Sequence, residues 1–188
     1  QLQEMKDGGT FVMVAPKDPF RCPPGPYERV SLVAHYLKHN KPNSKIIILD
    51  QKNNFSKQGL FQEGWEKLYK DMIDWRSSEF GGKVISVNPK TKVIKTEDGE
   101  IQADVLNYIP EQKAGKLAFD SGLTDGDWCP INTKTFESKL VKDVYVLGDA
   151  SESSPMPKSG FSANSQGKIA ALQISRILAK QAIINPPK

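Results

Sequence analysis

Two short apolar runs joined by one amphipathic helix constrain this chain more than any other feature. Thr10–Ala15 (TFVMVA) and Lys45–Asp50 (KIIILD) are too short for buried helices and rich in β-branched side chains, which predicts buried strands. Between them Val30, Val33, Ala34 and Leu37 fall at i, i+3, i+4 and i+7, a single apolar stripe. Strand, helix, strand with short connections is a βαβ unit, so a parallel sheet covered by helices is expected. The loop after the first strand then becomes informative. In a dinucleotide-binding unit that turn is rich in glycine, because the backbone must approach a pyrophosphate and offer its N–H groups. Here residues 15–27 carry five prolines and one glycine, and each proline removes a donor and fixes φ. The frame of a nucleotide-binding domain is present and its phosphate grip is not. Asp50, at the end of the second strand, stands where a ribose-binding acid would be expected, or is a simple turn residue.

Further along, residues 64–75 suggest another helix with Trp65, Leu68, Tyr69 and Met72 on one side. Three short runs follow, VISV from Val84, KVIKT from Lys92 and IQADVLNYI from Ile101, separated by the turn sequences NPKT and EDGE, which predicts an antiparallel meander. Residues 110–133 read as irregular, and residues 143–147 (DVYVL) as one more strand ending at Gly148-Asp149. A last helix is expected from near Ser162, with Ala170, Ile174, Ile177 and Leu178 on one face, stopping before Asn185-Pro186-Pro187.

Composition excludes some classes. The net charge of +4 is spread along the chain without clusters, so nucleic acid is not an expected partner. No apolar run approaches the roughly 20 residues of a bilayer span, so no membrane-crossing helix is expected. Cys22 and Cys129 lie 107 positions apart, too far for a zinc knuckle, and leave a long-range disulfide or two free thiols. His35 and His39 are an i, i+4 pair with no third ligand in view, and read as ordinary helix residues. In residues 155–167 (PMPKSGFSANSQG) a Gly- and Ser-rich stretch runs into a helix, offering N–H groups and a positive helix end to an electron-rich atom. On the residues alone, Ser159 or Ser162 reads as a helix cap and Lys158 as a solvated surface lysine.

The strings RCPPGPYERVSLVAHYLKHNKPNSKIIILD, FSKQGLFQEGWEKLY, IPEQKAGKLAFDSGL, WCPINTKTFES and VYVLGDASESSPMPKSGFSANSQGK together resemble, in that order, the flavoprotein subunit of flavocytochrome c sulfide dehydrogenase. The resemblance implies an α/β fold. A Rossmann-like, degenerate NAD-binding domain with an antiparallel meander (residues 1–106) would be inserted into an FAD-binding domain whose C-terminal part returns at 107–188. Glycine-rich and flavin-tethering segments ahead of residue 1, and a cytochrome-contacting domain after 188, would belong to the intact protein.

The resemblance also implies roles. Cys22 and Cys129 match the two cysteines of a redox-active disulfide where sulfide sulfur is attacked and held. Glu28 matches an acid near it that moves protons. Gly148, Asp149 and Ala150 match the turn whose carboxylate binds the ribityl chain of FAD. Lys158, Ser159 and Gly160 open the helix facing the pyrimidine edge of the flavin. Electrons would pass to haem c on a partner subunit, with sulfide as substrate and the periplasm as compartment. Two rivals remain: a sulfide:quinone oxidoreductase-like enzyme, and a non-catalytic α/β scaffold.

Overall fold

A computed structural model describes residues 1–185 of the chain, which divide into two compact units. Of these, the first comprises residues 1–18 and 24–111, and the second residues 19–23 and 112–185. The five residues around Cys22 therefore leave the first unit and join the second, although the strand before them and the helix after them stay behind.

The first unit holds the expected βαβ core. β1 (Thr10–Ala15) pairs in parallel with β2 (Lys45–Asp50), and α1 (Gly25–Asn40) connects them. Pro26 lies in the first turn of α1, where a missing N–H costs nothing. Val30, Val33, Ala34 and Leu37 are all buried, as their spacing predicts. After α2 (Gln58–Tyr69) comes β3 (Ile73–Arg76), and the parallel sheet runs β3-β2-β1-β7, with β7 at Val105–Tyr108.

Alternation along β1 splits the core of this unit in two. Phe11 and Met13 pack with Ile46, Ile48 and α1 on one face, while Val12 and Val14 pack with Leu49 and Ile94 on the other. That second face is covered by an antiparallel meander, β4 (Val84–Asn88), β5 (Val93–Thr96) and β6 (Gly99–Gln102). Each fully buried aliphatic side chain contributes about 1.5–3 kcal/mol, so both faces are needed to hold one sheet.

Two expectations in this unit are corrected. The helix over 64–75 ends at Tyr69, because Lys70 takes a positive φ of 46° and the next residues pair with β2 instead. Met72 is buried outside that helix, and Leu68 is exposed. The run IQADVLNYI is likewise two strands. Its head finishes the meander, and its tail turns at Ala103-Asp104 to lie beside β1.

The second unit is less regular. It contains α3 (Lys116–Asp120), the two-residue pair β8 (Cys129–Pro130) and β9 (Ser151–Glu152), and the 19-residue α4 (Gly160–Leu178). Residues 143–147 do not form the expected strand. Their neighbour is the short segment 136–138, kinked where Phe136 takes a φ of 64°, and the pairing reduces to one bridge between Glu137 and Tyr145. The buried face of α4 shares only Ala170 with the expected one. Ser162, Gln166, Ala170 and Gln173 are buried, whereas Ile177 and Leu178 are exposed. The two glutamines satisfy loop backbone: Gln166 accepts from the Gly148 N–H at 2.6 Å, and Gln173 donates to the Lys134 and Ile184 carbonyls. Of the residues expected to follow the helix, Pro186 and Pro187 lie outside the described residues. Among the described residues no helix is long and apolar enough to cross a membrane.

Candidate functional site

At the carboxyl end of β2 in the first unit, Asp50 is completely buried. One oxygen of its carboxylate accepts from the Tyr27 hydroxyl at 2.5 Å and from the Trp75 indole N–H at 3.2 Å. The other takes the Lys52 ammonium at 2.6 Å and the Lys52 backbone N–H at 3.1 Å. Four donors occupy the lone pairs of a carboxylate, so none remains for a ribose hydroxyl. The ribose-binding reading of Asp50 is therefore corrected: its group is spent internally. Burial, and then the Asp50 charge, push the Tyr27 phenol far above its ordinary range, so it stays a donor. Tyr27 also stacks on Phe55 at 3.7 Å, with Phe61, Trp65 and Trp75 around them. Aromatic rings thus pack around the buried end of β2.

The second unit gathers most of the residues singled out in the sequence. Cys22 is exposed and Cys129 fully buried, and both are free thiols. Cys22 holds a left-handed backbone with φ 54°, a conformation that costs a non-glycine residue of order 1 kcal/mol. Its N–H donates to the carbonyl of Lys158 at 2.8 Å, and Arg21 forms a bridge to Lys158. The Arg21 side chain and N–H both reach Gln112 at 3.0 Å, which ties the segment to this unit. Cys129 lies on β8 opposite Ser151 of β9, and Trp128 and Ala114 are buried with it.

Lys158 links the two cysteine segments. It is buried, contrary to the expectation of a solvated surface residue. Its ammonium donates to the carbonyls of Ser151 at 2.8 Å and Asp149 at 2.9 Å, and lies 3.7 Å over the Trp128 ring. Two carbonyls and a π face replace the water a lysine needs. Burial pulls its pKa down, while Asp149 and Glu152 raise it, Arg21 lowers it and Cys129 raises it. Burial pushes the Cys129 thiol up, and the Lys158 charge works against that rise.

The remaining positions are placed as follows. Gly148, Asp149 and Ala150 make one 3-10 turn. Gly148 has φ 69°, and a Cβ there would stand 3.3 Å from the Ala163 side chain, so glycine suits both the turn and its approach to α4. Ser159 caps α4, accepting from the Ser162 N–H at 3.2 Å. Helix geometry gives the N–H groups of Gly160 and Phe161 no intrahelical acceptor, and Phe161 is exposed there. This turn and helix opening suit FAD: a close glycine, a carboxylate at the turn, and a positive helix end for the electron-rich edge of the ring. Glu28 lies in the first unit, exposed in the first turn of α1. His35 and His39 face each other at 4.5 Å, and among the described residues no group of three or more potential ligands could hold a metal ion.

Sequence inspection missed Trp128, Arg21, Ser151 and Gln166. Trp128 and Arg21 precede the two cysteines, an adjacency that offers a signal in hindsight. Ser151 and Gln166 act through pairings that sequence spacing does not reveal.

Residues 1–110 match the central region of the flavoprotein chain of sulfide dehydrogenase [flavocytochrome c]. Cys22 and Glu28 fall inside that match, and Cys129 and residues 148–160 outside it. The fold is similar to a pyridine nucleotide-disulfide family oxidoreductase from Enterococcus faecalis V583, with a TM-score of 0.61 at 13% identity over 91% of this chain and 39% of that one. It is also similar to an FAD-dependent pyridine nucleotide-disulphide oxidoreductase from Desulfovibrio vulgaris, with a TM-score of 0.53 at 18% identity over 94% and 44%. A NAD-dependent persulfide reductase from A. fulgidus gives 0.54 at 13% identity over 94% and 32%. The chain thus spans less than half the length of these structures. A family match over more than half of its residues, on an α/β fold shared with the pyridine nucleotide-disulfide oxidoreductases, places the chain in the family of the flavocytochrome c sulfide dehydrogenase flavoprotein chain.

Proposed function

We propose that the chain is part of a flavoprotein that oxidises sulfide through Cys22 and Cys129 and passes the electrons to a c-type cytochrome in the periplasm. One observation carries the reading: two cysteines 107 positions apart are delivered to one compact unit, each attached to Lys158 or its bonded neighbours. The exposed Cys22 is the sulfur that meets substrate, and the sheltered Cys129 its resolving partner. Hydrosulfide would attack the disulfide between them, leaving one cysteine persulfidated and the other a thiolate, with no net change in electron count at that step.

Gly148, Asp149 and Ala150 would hold the ribityl side of FAD, and Lys158, Ser159 and Gly160 would set the helix opening against its pyrimidine edge. FAD supplies a two-electron acceptor that can release electrons singly to haem c on a partner subunit. Glu28 would carry protons. The internally engaged Asp50 carboxylate supports an acceptor other than a nicotinamide nucleotide.

The test is Cys22→Ser in the intact protein, assayed by sulfide-dependent reduction of cytochrome c. Loss of turnover is expected. Unchanged turnover would remove the cysteine pair from the mechanism.

A further inference from the structure

Lys158 has no assigned task beyond opening a helix, yet both its backbone and its ammonium are engaged within the second unit. Its backbone carbonyl receives the Cys22 N–H at 2.8 Å, at the residue whose φ is 54°. Its ammonium holds the Ser151 carbonyl at 2.8 Å, on the strand paired with Cys129, and caps the ring of Trp128, the residue before Cys129. A buried cation whose hydrogen bonds go to neutral carbonyls still favours a negative charge formed next to it, because the attraction is little screened by water there. The charged and titratable groups acting on it are Asp149, Glu152, Arg21 and Cys129. Asp149 and Glu152 flank Ser151 in sequence, and Cys129 is the group whose charge changes during thiol chemistry.

We propose that Lys158 is the positioning residue of the cysteine pair, holding the Cys22 segment with its backbone and stabilising, with its buried ammonium, the negative sulfur of Cys129 when the pair is open. The proposal rests on the reading of Cys22 and Cys129 as a redox pair. It predicts that the lysine makes the disulfide easier to reduce, since stabilising the reduced form of a dithiol turns its disulfide into a stronger oxidant. Burial acts on Cys129 in the opposite direction, and the lysine offsets it.

The experiment equilibrates the 188-residue chain in mixtures of reduced and oxidised dithiothreitol. Each Cys22–Cys129 disulfide opened takes two electrons and two protons from one dithiothreitol, which closes to its cyclic disulfide. Lys158→Met and Lys158→Gln remove the charge, the second retaining a donor for the carbonyls should the first fail to fold, and Lys158→Arg restores the charge. We expect the neutral variants to shift the equilibrium about tenfold toward the disulfide, ~30 mV, with Arg returning most of it. A parallel arm follows Cys129 thiolate absorbance against pH in a Cys22→Ser background, where the neutral variants should ionise at higher pH than the parent. A purely structural lysine would move neither readout. Equal equilibrium constants and equal pH profiles for parent and folded neutral variants overturn the proposal alone. A parent chain that forms no disulfide at any ratio overturns the redox-pair reading, and this proposal with it.

Discussion

Two buried ionic clusters in this chain use the same materials to opposite ends. Around Asp50 in the first unit, four donors meet one carboxylate and aromatic rings close the surroundings. Every polar group there has a partner, and the cluster is a joint between β2, α1 and β3. Around Lys158 in the second unit, a cation is held by neutral carbonyls and a ring, beside a thiol that burial disfavours as an anion. The first arrangement resists change because its charge is matched. The second hydrogen-bonds its cation to neutral groups only, with Asp149, Glu152 and Cys129 as the acidic groups that act on it from around. One cluster fills a carboxylate with donors and the other sets a cation near a thiol whose charge can change, and the contrast can be broken at several points.

The largest expected effect is at the saturated cluster. Asp50→Ala strips the partner from Tyr27, Trp75 and Lys52 at once, and should cost the first unit about 3–5 kcal/mol. Urea unfolding followed by tryptophan fluorescence would read it. A loss under 1 kcal/mol would mean the carboxylate is not the joint described here. Tyr27→Phe removes one donor from the same cluster and should cost about 1–3 kcal/mol.

In the second unit, Gln166→Leu orphans the Gly148 N–H and should cost a similar 1–3 kcal/mol. Because Gly148 anchors the turn that carries Asp149, flavin retention in the intact protein should weaken with it. Full flavin content in that variant would separate the turn from the cofactor.

The smallest effect concerns the thiols. Exposed Cys22 should be alkylated roughly tenfold or more faster than Cys129. The Cys129 profile should also lie at higher pH than that of an ordinary thiol, since burial raises it. The sign for stability follows: the unfolded thiol ionises first, so the second unit loses stability as pH rises through the ordinary thiol range. An acid-shifted Cys129 profile would show that Lys158 outweighs burial, sharpening the comparison in the other direction.

Much of the fold was legible because it rests on local periodicity. β1, α1 and β2 declare themselves by short β-branched runs and one apolar stripe, and all form where expected. What was not legible depends on partners. The run from Ile101 has no internal mark at Ala103-Asp104, yet the chain divides there because β1 offers a free edge. Residues 143–147 carry strand composition but find only a kinked three-residue neighbour. On α4 a count of apolar residues picks the wrong side, since glutamines at 166 and 173 turn inward to satisfy loop backbone. The candidate site divides the same way. Its cysteines, its Gly-Asp turn and its capped helix were visible as motifs. The burial of Lys158 and the exhaustion of Asp50 were not, because both follow from groups distant in sequence.

The most direct test of the account is disulfide mapping of the chain after mild oxidation. Peptides cleaved without reductant should yield one intramolecular Cys22–Cys129 link that dithiothreitol opens and oxidation closes again. If both sulfurs stay fully alkylatable after oxidation, or pair only between separate chains, the redox role of this unit is contradicted.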